Sequence, residues 1–131
     1  MKTEIRVQSL DRTFDILQIL SDEQHGLTLA QISERLDLPK STVHRLLGVL
    51  LQRAFVRKAP ETNRYRLGPG FIGLCSHYLN NLELKTESSP FMAELSRTTG
   101  NTVFLAIRQH DKMVYIDSEE QVNSLRKYSI I

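Results

Sequence analysis

Apolar residues recur at helical spacing three times before the pattern changes. Leu10, Phe14, Leu17 and Leu20, widened by Ile16 and Ile19, mark one face of a helix over residues 9–21, with Ser9 as its expected N-cap. His25-Gly26-Leu27 breaks the pattern, since Gly26 can turn the chain at positive φ. Thr28 with Gln31 three residues on forms a capping-box signature, and Leu29, Ile32 and Leu36 mark the face of a short second helix. Asp37-Leu38-Pro39-Lys40 stops that helix and starts the next. Pro39 disfavours helical geometry at Leu38 and suits the first position of a new helix. A stop and a start this close are the spacing of a helix-turn-helix. In the third helix Val43, Leu46, Leu47, Leu50 and Ala54 are expected to pack inward. Ser41, His44, Arg45, Gly48 and Gln52 form a separate polar face.

The period then shortens. Residues 55–58 and 64–67 read as short strands around the turn-rich Ala59-Pro60-Glu61-Thr62-Asn63, a small hairpin or wing. Leu67-Gly68-Pro69-Gly70 is the best candidate boundary. A further helix over 71–82 carries Phe71, Leu74, Tyr78 and Leu82 on one face. Ser88-Ser89-Pro90 is expected to start another helix, with Phe91, Leu95 and Met92 inward and Gly100 as its stop. Residues 102–108 and 113–117 read as strands joined by a turn at 109–112, and 125–131 as the beginning of a third.

Charge sharpens this picture. Residues 1–38 carry four bases and seven acids, residues 39–66 seven bases and one acid, and residues 67–131 six bases and seven acids. The net charge of +2 thus conceals a strongly basic stretch over the third helix and the wing. That is the footprint expected of phosphate binding. From Lys40 to Ala54 there is no acid at all, whereas a merely solvated helix face is more often rich in Glu–Lys pairs.

In a helix-turn-helix the second helix enters the major groove with its N-terminal residues nearest the bases. The candidate DNA contacts are therefore Lys40, Ser41, Thr42, His44 and Arg45, with Arg64 from the wing. Arg45 suits a bidentate contact with guanine and Lys40 a phosphate. Ser41 and Thr42 suit either, and the helix N-terminus itself attracts phosphate. The competing reading makes Ser41 a cap only and pairs Arg45 with an acid such as Glu34.

Other chemistry finds little purchase. Gly68, Gly70 and Gly73 spell G-x-G-x-x-G after a strand and before a helix. The strand is short and charged, however, and the next element is another helix, so a dinucleotide site is not expected. His25, His44, His77 and His110 include no pair at metal-ligand spacing, and Cys75 alone forms neither a disulfide nor a Cys-pair zinc site. Cys75 is expected to be buried and inert. No metal, cofactor or enzymatic activity is expected. The first residues lack an apolar signal-peptide core and no run is long enough to span a membrane, which points to a cytoplasmic protein. The rival to DNA binding is a winged helix serving as a protein-interaction module, which an apolar outer face on the third helix would favour.

Three segments, Ser9-Leu10-Asp11-Arg12, Leu29-Ala30-Gln31-Ile32-Ser33 and the run from Leu38 to Leu47, closely resemble the IclR family of bacterial regulators. Tyr65-Arg66-Leu67-Gly68 is similar to that family's wing. Pro90 to Gly100, Thr102 to Ala106, Val114 to Asp117, Leu125-Arg126 and Ser129 are similar to the start of its effector-binding domain. The resemblance implies an α+β chain of three parts. Residues 1–68 would be a winged helix-turn-helix, 69–82 a linking and dimerising helix, and 83–131 the first part of a GAF-like α/β sensor domain, apparently truncated. It further implies an operator on double-stranded DNA, a homodimer or tetramer, and a small organic effector bound by the complete protein, controlling metabolic genes, often as a repressor.

Overall fold

The computed structural model describes residues 3–121. The element order is α1 (Gln8–Ser21), α2 (Leu29–Leu36), α3 (Lys40–Gln52), β1 (Val56–Lys58), β2 (Tyr65–Leu67), α4 (Gly70–Asn80), α5 (Glu83–Thr99), β3 (Val103–Gln109) and β4 (Lys112–Glu119). The chain divides into two compact units between Leu74 and Cys75, within α4. Among the described residues no helix is long and apolar enough to cross a membrane. The segment expected as a third strand, 125–131, lies outside the described residues.

The first unit is built on one apolar cluster. Ile16 and Leu20 of α1, Ile32 of α2, and Val43, Leu46, Leu47 and Leu50 of α3 are buried together with Leu27, Val56 and Tyr65. These α3 residues fall at i, i+3, i+4 and i+7, so a single helix face meets the other elements. At roughly 1.5–3 kcal/mol for each fully buried aliphatic side chain, this cluster is the dominant stabilising term of the unit. β1 and β2 pair antiparallel, with Val56 opposite Leu67, Arg57 opposite Arg66 and Lys58 opposite Tyr65.

Three expectations for this unit need correction. The first helix begins at Gln8 with Val7 in the N-cap position and no side-chain cap, so Ser9 is already inside it. Leu10 and Phe14 are 52% and 62% exposed, because the core takes only the Ile16–Leu20 side of α1. Ala54 is exposed and lies beyond α3 at φ 60°, in the left-handed turn that leads into β1.

The second unit places β3 against β4 in an antiparallel hairpin that turns at His110 and Asp111, with His110 at φ 56°. Its register shifts between Leu105 and Ala106. Leu105 pairs with Asp117 and Ala106 with Tyr115, so Ile116 is the extra residue of a β-bulge. Ile116 is buried, as are Met92 and Ser96 of α5. The Ser96 hydroxyl donates to the Asn101 carbonyl at 2.9 Å, which satisfies it where it is buried. Of the three α5 residues expected inward, Met92 is buried and the other two are not. α5 starts at Glu83, runs through Pro90 and leaves Phe91 and Leu95 74% and 51% exposed. Gly100 closes it at φ 68°, as its position after the apolar pattern predicts.

Candidate nucleic-acid interface

The turn before α3 sets the presentation of that helix. α2 opens with the full capping box. The Thr28 hydroxyl accepts from the Gln31 N–H at 3.3 Å, and Gln31 Oε1 accepts from the Thr28 N–H at 2.9 Å. It closes at Asp37 in the left-handed region, φ 50°. The Leu38 N–H then donates to the Ser33 carbonyl at 3.0 Å, and the Ser33 hydroxyl donates back to the Leu38 carbonyl. Only Asp37, Leu38 and Pro39 separate the two helices, and these bonds make the turn rigid.

Of the residues expected to meet DNA, Lys40, Ser41, His44 and Arg45 are exposed and Thr42 is half-buried, all in the first two turns of α3. Pro39 occupies the N-cap position and no side chain caps the helix, so its leading N–H groups stay open to an anion. Ser41 is therefore not a cap. Among the described residues no hydrogen bond or ion pair engages the side chains of Lys40, His44 or Arg45, and the nearby pairing joins Arg35 to Glu23 instead. The polar face of α3 is thus a set of uncommitted donors.

The wing adds charge on a second element. Val56 and Tyr65 are buried while Arg57 and Arg66 are exposed, as the period-two alternation of a strand requires. Lys58 Nζ lies 5.4 Å from the Tyr65 ring centroid, a cation–π contact that still leaves the ammonium at the surface. Arg57 and Arg66 were not among the expected contacts. The alternation around Val56 and Tyr65 is the signal that identifies them.

Arg64 stands apart from the other expected contacts. It is half-buried, and its Nη1 donates to the Gly26 carbonyl at 3.0 Å and lies 3.4 Å from Gln31 Oε1. Leu27 and Tyr65 exchange backbone hydrogen bonds at 3.0 and 2.7 Å beside it. Gly26 sits at φ +75°, and a Cβ there would fall 2.5 Å from the Tyr65 carbonyl, so only glycine fits this approach of the loop to the wing.

The first unit also carries a groove of about 670 Å³. Leu10 and Phe14 of α1, Val49 of α3, Phe55, Phe71 and Leu74 line it. Phe55 and Phe71 meet edge-to-face at 4.8 Å. Leu10, Phe14, Val49 and Leu74 are all about half exposed or more, a contiguous apolar surface of the kind that marks an association site.

The glycine-rich segment serves packing. A Cβ on Gly68 would lie 2.4 Å from the Ala54 carbonyl oxygen, and one on Gly70 2.9 Å from the same atom. These glycines let the chain leave the wing against the turn after α3. Cys75 is exposed rather than buried, because α4 has no buried residue.

Comparison with known proteins agrees with this layout. Residues 9–60 match the IclR helix-turn-helix domain, and residues 76–131 match the bacterial transcriptional regulator IclR C-terminal domain. The chain is 30% identical over 125 residues to the HTH-type transcriptional regulator XynR of Escherichia coli K12, covering 95% of this chain and 50% of that protein. It is 37% identical over 109 residues to the DNA-binding transcriptional repressor YiaJ of the same organism, covering 83% and 39%. Among solved structures, an IclR family transcriptional regulator from Brucella abortus matches with a TM-score of 0.72 and 28% identity, covering 92% of this chain and 47% of that one. The chain spans about half the length of the curated relatives it matches.

Proposed function

The chain belongs to the IclR family of bacterial transcriptional regulators, and on that premise we propose that it binds double-stranded DNA through α3 and the wing to control transcription. The observation that carries the reading is the face of α3. Lys40, Ser41, His44 and Arg45 stand exposed at an uncapped helix N-terminus, with no internal partner for the three basic side chains among the described residues. Donors left free in this way suit major-groove base edges and phosphates. Arg45 reads a base, Lys40 holds a phosphate, and Ser41, Thr42 and His44 set the register between them. Arg57 and Arg66 of the wing hold phosphate beside the groove. This is a binding function that calls for no catalysis.

The groove lined by Leu10, Phe14 and Leu74 supports a dimer joined through α1 and the beginning of α4, placing two α3 helices on two half-sites. The second unit belongs to an effector-binding domain for a small organic molecule, in a cytoplasmic protein. For the effector to act, it must favour one arrangement of the dimer over another. The test is fluorescence anisotropy of a labelled random-sequence duplex titrated with the protein at several salt concentrations. Binding that weakens steeply with salt is expected; no binding at low salt by folded protein removes the reading.

A further inference from the structure

We propose that Arg64 is a positioning residue of the DNA-binding surface, tying the root of the wing to the start of α2 instead of holding a phosphate itself. The inference rests on the DNA-binding reading above. The wing has two strands of three residues each, and a lone hairpin of that size is marginal in water. It therefore needs an anchor. Arg64 directly precedes β2, and its guanidinium turns inward, donating to the Gly26 carbonyl at 3.0 Å with Gln31 Oε1 at 3.4 Å. That Gln31 oxygen also accepts the Thr28 N–H of the capping box. The Leu27–Tyr65 bridge runs alongside. One side chain thus joins β2, the α1–α2 loop and the cap of the first helix of the helix-turn-helix. The position of Arg57 and Arg66 relative to α3 depends on that joint.

Both acceptors meet one nitrogen, Nη1, whose two N–H groups are fixed in the guanidinium plane, whereas lysine places a point charge on a stem one atom shorter. The two roles for Arg64 therefore respond differently to Arg64→Lys. A phosphate ligand tolerates lysine; a tether does not. The experiment measures Arg64→Lys and Arg64→Met in the whole chain, by anisotropy on the labelled random duplex across a salt series and by amide hydrogen exchange. For both variants we expect affinity to fall about tenfold, the order of one internal hydrogen bond removed, with an unchanged log–log salt slope. Amides of Leu27 and Tyr65 should exchange at least about tenfold faster while those of Ile16 and Leu47 stay protected, which separates a loosened joint from global unfolding. In an Arg57→Gln/Arg66→Gln background, Arg64→Lys should cost no further affinity, because the tether acts through those two side chains. Wild-type binding by Arg64→Lys, with a slope reduced by about one in Arg64→Met, would make Arg64 a direct phosphate ligand and overturn the proposal. If the unaltered protein does not bind the duplex, the DNA-binding reading fails and this role with it. If the protein binds but Leu27 and Tyr65 keep their protection in both variants, only the tether fails.

Discussion

Arg66 stands directly opposite Arg57 across the wing, two exposed guanidinium groups held in register by the β1–β2 ladder. Like charges in this arrangement oppose strand pairing, by roughly 0.2–1 kcal/mol. Replacing either by glutamine should therefore leave thermal stability unchanged or slightly raised. It should also reduce the log–log salt slope of duplex binding by about one unit for each phosphate that is no longer neutralised. Anisotropy across a salt series, with a thermal melt of the same samples, checks both. An unaltered slope in the double variant would remove the wing from the interface.

The two ends of the α3 surface should separate base reading from charge. Arg45→Ala is expected to lower affinity for a sequence selected from a random duplex pool by about 1–3 kcal/mol more than for random DNA. Lys40→Ala should weaken both alike and flatten the salt dependence by about one unit. Equal losses on every sequence for both variants would mean that Arg45 does not read a base.

Gly48 lies in the middle of α3, where glycine costs about 1 kcal/mol relative to alanine. No atom outside the helix backbone lies within 4 Å of a Cβ built there, so internal packing does not call for a glycine. It falls on the same face as Ser41, His44 and Arg45. Gly48→Ala should raise unfolding free energy by about 1 kcal/mol in a denaturant titration. It should also weaken binding to the selected sequence, because the added methyl group meets the DNA. A gain in stability with undiminished affinity would place DNA away from this turn.

Ala54 holds φ 60° at the exposed end of α3, a conformation that costs an L-residue about 1–2 kcal/mol and glycine almost nothing. Ala54→Gly should stabilise the first unit by about 1 kcal/mol, less the extra entropy glycine brings to the unfolded chain. A thermal melt that moves downward would contradict this.

Phe14, 62% exposed in the groove, tests the proposed dimer. Phe14→Glu should shift the mass measured by light scattering toward the monomer while the folding of the first unit survives, since Phe14 is outside its buried cluster. Duplex affinity should fall as the two half-sites cease to be bound together. An unchanged mass would assign the groove to another occupant.

Much of the helix-turn-helix fold was legible in the sequence because its signals are local. The Thr28–Gln31 box, the break at Asp37-Leu38-Pro39 and the inward run Val43, Leu46, Leu47 and Leu50 are all set within a few residues of chain, and each appears in the fold. Periodicity identifies an apolar face without saying what covers it. Leu10, Phe14, Phe91 and Leu95 therefore read as core although the core takes the neighbouring face of each helix. In α5 a serine, Ser96, occupies a buried position, supplied with an acceptor by the turn after Gly100 that no sequence pattern announces. Arg64 shows the same limit for charge. Its sign can be read from the chain, but the direction of its guanidinium depends on a glycine carbonyl 38 residues away.

None of the residues of α4 is buried. A helix of 11 residues standing alone is marginal in water, since the few hydrogen bonds it closes barely offset the cost of nucleating it. Inside the chain the contact of Phe71 with Phe55 anchors only its first turn, so in the proposed dimer association would supply the rest of its order, under mass action. The far-ultraviolet helix signal of the protein should rise with concentration over the same range in which dimers form, so this segment would report spectroscopically how crowded the regulator is with copies of itself.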